Sequence, residues 1–220
     1  MIAADLVSLD LPILKTSDSG DFAIEMMEEF KVTHLPIVNN TEFLGLISEA
    51  DILDLNEPDE ALGAHKLSLS RPYVLNNAHI FEVIKHVTRQ KLSLIPVLDS
   101  KHDYVGAITL QTLVENFDKL ISTETPGGVI VLELNIHDYS LSEIARIVES
   151  NDAKILNLYI SSETDTTKLD VTIKINRTDL TRILQSFLRY NYNVKASFHE
   201  SSFGEDLKER FDSFMNYLNI

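Results

Sequence analysis

The chain has 220 residues, a formal net charge of −15 and an isoelectric point near 4.8. This acidity opposes binding to nucleic-acid phosphates and to anionic membrane surfaces, so neither is expected as a partner. The chain contains no cysteine, which excludes disulfides and thiolate chemistry, and its seven histidines show no metal-binding spacing such as HExxH.

The N-terminal sequence MIAADLVSLD lacks the basic segment and long apolar run of a secretory signal. No stretch approaches the roughly 20 apolar residues that a membrane-spanning helix requires. A hydrophobic fraction of 44% is sufficient for a buried core. We therefore expect a globular protein of the cytoplasm.

A tandem repeat organises the first half of the chain, with copies at about 1–55 and 66–121. Its register is set by identical residues sixty positions apart: Ser8 and Ser68, Pro12 and Pro72, Lys31 and Lys91, and Pro36 and Pro96. Each copy predicts a proline-containing lead-in, a helix, an apolar strand, a polar turn, and a second strand that ends at Ser or Thr where another helix starts.

The first helix of each copy is predicted from apolar residues at helical spacing. In the first copy these are Phe22, Met26 and Phe30, preceded by the candidate N-caps Ser17, Asp18 and Ser19. In the second copy they are Ile80, Val83, Ile84 and Val87, with Asn76 and Asn77 as the candidate caps. Both stripes predict a helix face that packs in the core.

The junction between the second strand and the next helix is the candidate binding site. Ser48 ends the strand and Asp51 falls in the first helical turn, where free N–H groups and the helix dipole favour an anionic or hydroxylated ligand. Gly45, within the same strand, has two interpretations. It relieves crowding between neighbouring elements, or it allows the backbone to approach a ligand closely.

Composition changes at residues 122–128, a cluster of turn formers that predicts a linker. Residues 129–199 then follow the order β-α-β-β-α-β, which predicts a ferredoxin-like antiparallel sheet with two helices on one face. Ser140 and Glu143 have the spacing of a capping box, and Thr178 or Asp179 is expected to cap the second helix. Residues 203–220 predict an amphipathic helix that packs on its own sheet or forms a subunit interface.

The two copies resemble cystathionine-β-synthase (CBS) domains over residues 1–121, on the segments LPIV…LGLISEADIL and IPVL…VGAITLQTL. The resemblance implies a compact pair that binds an adenine nucleotide in the cleft between the motifs. The site residues that it implies are Thr33, His34, Leu35, Pro36, Ser48 and Asp51. In this reading Ser48 and Asp51 hold the ribose hydroxyls, and His34 either donates to phosphate or is only an exposed histidine before a strand.

The second copy departs from the motif because Thr112 stands where the acid is expected, after Thr109. The resemblance therefore implies a weaker second site at Ser93, Leu94, Ile95, Pro96 and Thr109. We expect the two sites to be unequal, with the first one binding more tightly.

The second half of the chain resembles ACT regulatory domains, and the CBS–CBS–ACT order is similar to acetoin-utilisation regulatory proteins. ACT domains that bind amino acids usually carry a glycine after the first strand, whereas this chain has Asn135 to Tyr139 there. The resemblance thus does not extend to amino-acid binding. The pair His137 and Asp138 invites a metal-hydrolase interpretation, but the further metal ligands are absent from the sequence, so we interpret it as a turn.

The sequence therefore predicts a non-catalytic regulatory protein, with an adenine nucleotide as its ligand and no required cofactor. It is expected to form a homodimer and to act on an unidentified protein. An alternative is a structural dimerisation module with vestigial ligand sites. An enzyme is disfavoured because the motifs supply no activated nucleophile or paired acids.

Overall fold

The computed structural model describes residues 1–67, 69–162 and 167–198. The chain divides into two compact units, with Met1–Asn116 in the first and Phe117 onward in the second. The predicted helix at 203–220 lies outside the described residues, and the linker predicted at 122–128 stays a prediction.

The first repeat of unit 1 begins with a 3-10 turn and a long lead-in. Its elements are α1 (Gly20–Phe30), β1 (His34–Asn39), β2 (Glu42–Ser48) and α2 (Glu49–Leu53). Strands β1 and β2 pair antiparallel, and the lead-in adds a parallel bridge between Leu14 and Ile37. The core collects apolar residues from α1 and from both strands, among them Ala23, Met27, Leu35 and Ile47.

The second repeat follows the same plan with a better formed lead-in strand. Its elements are β3 (Val74–Leu75), α3 (Ile80–Gln90), β4 (Leu94–Leu98), β5 (Tyr104–Thr109) and α4 (Leu110–Glu115). Strand β3 pairs parallel to β4, and β4 pairs antiparallel to β5. The tandem repeat predicted from the sequence is thus present within unit 1 as two copies with the same order of helices and strands.

The helix caps confirm one prediction and correct another. Ser19 caps α1, since its hydroxyl accepts a hydrogen bond from Phe22 N at 3.2 Å. The prediction for α3 was wrong, because its N-cap is His79, whose Nδ1 accepts from Phe81 N at 3.3 Å. Asn76 lies too far upstream, where its N–H donates to the Leu98 carbonyl and so extends the pairing with β4.

Each lead-in crosses the second strand of the other repeat, at a glycine. Leu46 N donates to Ser70 O at 2.8 Å, and a Cβ on Gly45 would lie 2.6 Å from Leu69 Cβ. In the mirrored contact Ser8 N donates to Ala107 O at 3.0 Å. Gly106 sits beside this contact with φ at +154°, and its Cβ would lie 2.5 Å from Val7 Cγ1.

These contacts support the interpretation of Gly45 as a residue that relieves crowding. We predict that Gly45→Ala lowers the free energy of unfolding by about 1–3 kcal/mol, because the added methyl has no space beside Leu69. Chemical denaturation measures the change. Glu42→Ala, at an exposed position of the same strand, is the control and should change stability by less than about 0.5 kcal/mol. Equal stability of Gly45→Ala and the parent would contradict the crossing.

Unit 2 contains a four-stranded antiparallel sheet with strand order β7-β8-β6-β9. Its elements are α5 (Asp118–Ile121), β6 (Gly128–Asn135), α6 (Leu141–Glu149), β7 (Ile155–Ser161), β8 (Lys168–Ile175), α7 (Thr181–Arg189) and β9 (Asn193–Phe198). One sheet face packs with α6 and α7 in a core that includes Leu132, Ile144, Ile173 and Phe187. This order is that of the split βαβ fold, so the predicted ferredoxin-like architecture is confirmed.

The helices of unit 2 are capped in part as predicted. Ser140 Oγ accepts from Glu143 N at 3.4 Å, whereas the Glu143 carboxylate accepts a hydrogen bond from the Tyr192 hydroxyl at 3.2 Å. At the second helix, Asp179 Oδ1 accepts from Thr181 N at 3.0 Å. The N-cap residue of α7 is Leu180, which makes no side-chain capping bond, so the predicted N-cap at Thr178 or Asp179 was wrong, although Asp179 accepts from the first helical N–H.

Candidate functional site

The junction of β2 and α2 carries a complete capping box. Ser48 Oγ accepts a hydrogen bond from Asp51 N at 3.2 Å, and Asp51 Oδ2 accepts from Ser48 N at 2.8 Å. The Ser48 hydroxyl also donates to Asp51 Oδ2 at 2.6 Å. The sequence thus placed the hydroxyl and carboxylate together correctly, and helix capping alone accounts for these bonds.

The junction of β5 and α4 has the same geometry without a carboxylate. Thr109 Oγ1 accepts from Thr112 N at 3.0 Å, and the two threonine hydroxyls lie 2.9 Å apart. Each junction also makes an equivalent backbone hydrogen bond. Glu49 N donates to Thr33 O in the first repeat, and Leu110 N donates to Ser93 O in the second. The two junctions therefore differ chiefly in charge.

Thr33, His34 and Ser93 form a hydrogen-bonded cluster where the two repeats meet. Thr33 N donates to Ser93 Oγ at 3.0 Å, and Ser93 Oγ lies 3.1 Å from His34 Nδ1. Ser93 N donates to the same Nδ1 at 3.3 Å. Because a backbone N–H can only donate, Nδ1 is the acceptor, and the neutral ring carries its proton on Nε2.

His34 lies in an environment that favours its neutral form. Burial lowers its pKa below the ordinary value for histidine, and the nearby Asp51 carboxylate partly offsets this shift. The two residues are also connected through the sheet, since His34 is the register partner of Ser48. His34 thus stands between the capping box of the first repeat and Ser93 of the second.

The remaining predicted site residues contribute little side-chain surface. Leu35, Pro36, Leu94, Ile95 and Pro96 are all buried in the strands β1 and β4. Their side chains pack inside unit 1, so only their backbone is available to a ligand. The sequence motif located these strands correctly, but it did not separate the residues with accessible polar groups from the residues of the core.

Two grooves lie beside the cluster. The larger, of about 410 Å³, includes Lys31, Ser93 and Thr109 among its lining residues, and the smaller, of about 320 Å³, includes Lys31, Thr33 and Glu49. His34, Ser48 and Asp51 are not among the lining residues of these two grooves. The sequence reasoning missed Lys31, which borders both grooves and ends α1 in a left-handed conformation with φ at 56°.

Unit 2 contains a separate polar cavity of about 580 Å³ at the end of β6. Its lining includes the carboxylates of Glu133, Asp138 and Glu143. The ammonium group of Lys168, also in the lining, lies 2.7 Å from Glu133 Oε1. The excess of carboxylates opposes an anionic ligand. His137 and Asp138 form part of a 3-10 turn here, which confirms their interpretation as a turn.

The model of the CBS domain family matches residues 3–57 and 69–119. The first match lies within unit 1, the second extends three residues past its end at Asn116, and together they cover the two repeats separately. This unit is a tandem CBS domain pair. The clusters and junctions described above therefore belong to the CBS pair, and the cavity of unit 2 lies outside it.

Three solved structures resemble part of this chain. A CBS domain pair/ACT domain protein from Thermotoga maritima has 21% identity and a TM-score of 0.48, over 54% of this chain and 98% of that chain. CBSX2 in complex with AMP has 24% identity and a TM-score of 0.46, over 54% and 96%. The CBS domain of a bacterial CNNM/CorC family Mg²⁺ transporter in complex with ATP has 15% identity and a TM-score of 0.43, over 52% and 85%.

None of the helices within residues 1–67, 69–162 and 167–198 is long and apolar enough to cross a membrane. Within the same residues, no three side chains of His, Asp or Glu are grouped in a way that could hold a metal ion.

The position of His34 leads to a prediction on its titration. NMR titration of the ring should give a pKa below the ordinary histidine value, and Asp51→Asn should lower that pKa further by removing the carboxylate that raises it. Because the folded pKa is depressed, the contribution of this ring to stability is complete above the ordinary pKa and is lost as the pH falls through the lowered value. A higher pKa in Asp51→Asn would contradict this electrostatic arrangement.

Proposed function

We propose that this chain is a non-catalytic regulatory protein that binds an adenine nucleotide in its CBS pair. AMP, ADP, ATP and related adenosyl molecules are the candidate ligands, and no cofactor is required. The observation that carries this proposal is the cluster of Thr33, His34 and Ser93, which joins the two repeats beside a capped junction with a carboxylate.

The cluster offers groups that suit the parts of a nucleotide. The Nε2–H of His34 can donate to a phosphate oxygen, and Lys31 adds a positive charge at the bordering grooves. Both bonds from Ser48 end on Oδ2 of Asp51. The second carboxylate oxygen, Oδ1, is therefore proposed as the acceptor for a ribose hydroxyl.

Two of the similar CBS domain structures contain a bound adenine nucleotide. CBSX2 was solved with AMP and the CNNM/CorC domain with ATP. We propose the same class here because the local groups of the first repeat match it. The global charge of −15 is screened at physiological salt, beyond a Debye length of roughly 8 Å, and does not prevent binding.

A structural dimerisation module with vestigial sites is the rival proposal. Nucleotide at 100 times its dissociation constant should raise the unfolding free energy by about 2.7 kcal/mol, whereas a vestigial site leaves it unchanged.

Exposed apolar side chains on the CBS pair, such as Leu53 and Phe81, favour the homodimer that the sequence predicts. Light scattering of the purified chain tests that association, and a monomer at all concentrations would refute it.

We further propose that unit 2 is an ACT-like domain that receives the state of the CBS pair and passes it to a regulated protein. The support is the order β7-β8-β6-β9 with two helices on one face. The absence of an amino-acid site in this domain stays a prediction from the sequence. The similarity to acetoin-utilisation regulators stays a prediction from the domain order.

The carboxylate of Asp51 supplies the sharpest test of the nucleotide site. Asp51→Asn keeps an oxygen that can accept from Ser48 N but removes the charge. Because hydrogen bonds to charged groups contribute about 1.5–3 kcal/mol, we expect nucleotide affinity to fall roughly ten- to a hundredfold. Titration calorimetry with AMP, ADP and ATP measures it. Asp54→Asn, the same change at the exposed C-cap of α2, is the control and should bind like the parent.

The second junction provides the converse variant. Thr112→Asp introduces the missing carboxylate beside Thr109, and it should create or strengthen a second binding event in the same titration. Two equivalent sites in the parent protein would refute the assignment of the carboxylate, as would unchanged affinity in Asp51→Asn. If neither calorimetry nor thermal shift detects binding of millimolar nucleotide to the parent protein, the regulatory proposal itself fails.

A further inference from the structure

The first helices of the two repeats, α1 and α3, expose side chains of opposite charge at matched positions. The exposed residues of α1 are Asp21, Phe22, Glu25, Glu28 and Glu29. The matching exposed positions of α3 carry Phe81, Glu82, Lys85, Thr88 and Arg89. The sign of the charge is inverted at two of these pairs, Glu25 with Lys85 and Glu29 with Arg89. The outer side of α1 is therefore acidic, and that of α3 is basic.

The inverted charges stand one helical turn apart within each helix. Like charges at this spacing repel each other and destabilise the helix that carries them. No hydrogen bond or ion pair in the part of the chain that the structure describes engages the side chains of Glu25, Glu29, Lys85 or Arg89. Each helix therefore presents an uncompensated pair of like charges to solvent, and a pair of opposite sign would relieve the repulsion.

Glu82 is the single acidic residue of α3. It lies on the flank toward the lead-in of the second repeat, where it lines a cleft together with Arg71. It therefore does not neutralise the basic side of the helix, which carries Lys85 and Arg89.

Exposed apolar side chains accompany both charged surfaces. Leu53 of α2 is 72% exposed, and Val114, at the equivalent position of α4, is 68% exposed. In the first repeat α2 lies directly beside α1, since a Cβ on Gly20 would be 3.0 Å from Ile52 Cγ2. The apolar residues can drive association of either repeat, but they do not choose between partners. The charges make that choice, because like charges in contact disfavour one arrangement and opposite charges favour the other.

We propose that the homodimer pairs α1 of each copy with α3 of the other copy. This inference rests on the homodimer of the proposed function and adds its arrangement. A second copy is the partner that fits, because each chain carries both halves of the complementary pattern. Two copies related by a two-fold axis form both contacts at once and leave neither half unmatched. Pairing α1 with α1 would instead bring acidic residues against acidic residues and basic against basic.

The dissociation constant of the dimer, measured on the full chain by sedimentation velocity, tests the arrangement. Glu25→Lys/Glu29→Lys should raise this constant at least about tenfold, because it places basic residues against Lys85 and Arg89. The control is a double substitution at exposed residues outside both helices, Glu57→Lys/Asp59→Lys. It changes the net charge by the same amount and should alter the constant by less than about twofold.

The converse variant and the full exchange complete the set. Lys85→Glu/Arg89→Glu should also weaken the dimer at least about tenfold, now through acidic residues on both sides. The variant with all four substitutions has the net charge of the parent and should regain its dissociation constant to within about threefold. This recovery also shows that the substituted helices still fold.

The absence of native cysteine allows the contact to be located by thiol cross-linking. Residues 25 and 85 lie at the middle of their helices, so they approach each other whichever way the paired helices run. A mixture of the single variants Glu25→Cys and Lys85→Cys, treated with a short bismaleimide, should give a cross-linked dimer. Glu25→Cys alone is the control and should give several-fold less.

The possible failures are distinguishable. A parent protein that is monomeric at every concentration refutes the homodimer and this inference with it. A dimer with an unchanged dissociation constant in both double variants keeps the homodimer and overturns only the pairing of α1 with α3. Equal cross-linking of Glu25→Cys alone and of the mixture would indicate contact between like helices. Assemblies that grow beyond a dimer would overturn the two-fold arrangement.

Discussion

The mutual crossing of the lead-ins is the contact on which unit 1 depends. Each repeat sends its lead-in over the second strand of the other repeat, and in each case a glycine provides the space. Neither repeat can therefore complete its packing alone. The crossing also holds the two copies together, and Thr33 of one repeat and Ser93 of the other come within hydrogen-bond distance. The candidate site is thus a consequence of the way in which the duplicated halves are joined.

Sequence differences between the two copies make the contact between the repeats asymmetric. Ser93 corresponds to Thr33, so the hydroxyls are retained in both repeats, whereas His34 corresponds to the buried Leu94 and Asp51 corresponds to Thr112. The two ionisable groups accordingly belong to the same repeat, and the Asp51 carboxylate raises the pKa of His34 against the larger lowering by burial. A duplicated fold with one charged and one neutral junction can bind unequal ligands without any change in its backbone.

Much of the fold followed from local patterns, whereas the details of the site did not. Helical spacing in Ile80 to Val87 and alternation in Leu169 to Ile175 located elements correctly, because burial on one face imposes a period. The cap of α3 was missed because Asn76 is used in pairing with Leu98, a contact between distant residues. The crossing at Gly45 and the position of Lys31 beside two grooves likewise arise from tertiary packing, which local periodicity does not encode.

The tautomer of His34 offers a physical route from ligand to fold. Its Nδ1 accepts from Ser93 N, so the neutral ring contributes to the contact between the two repeats and carries its proton on Nε2. In the proposed complex a phosphate at Nε2 favours the charged ring, because an anion stabilises imidazolium. The charged ring has a proton on Nδ1 and can no longer accept from Ser93. Phosphate binding therefore competes with the hydrogen bond from Ser93 N to Nδ1, whereas Thr33 N can still donate to Ser93 Oγ, and a competition of this kind can convert occupancy of a site into a change in packing.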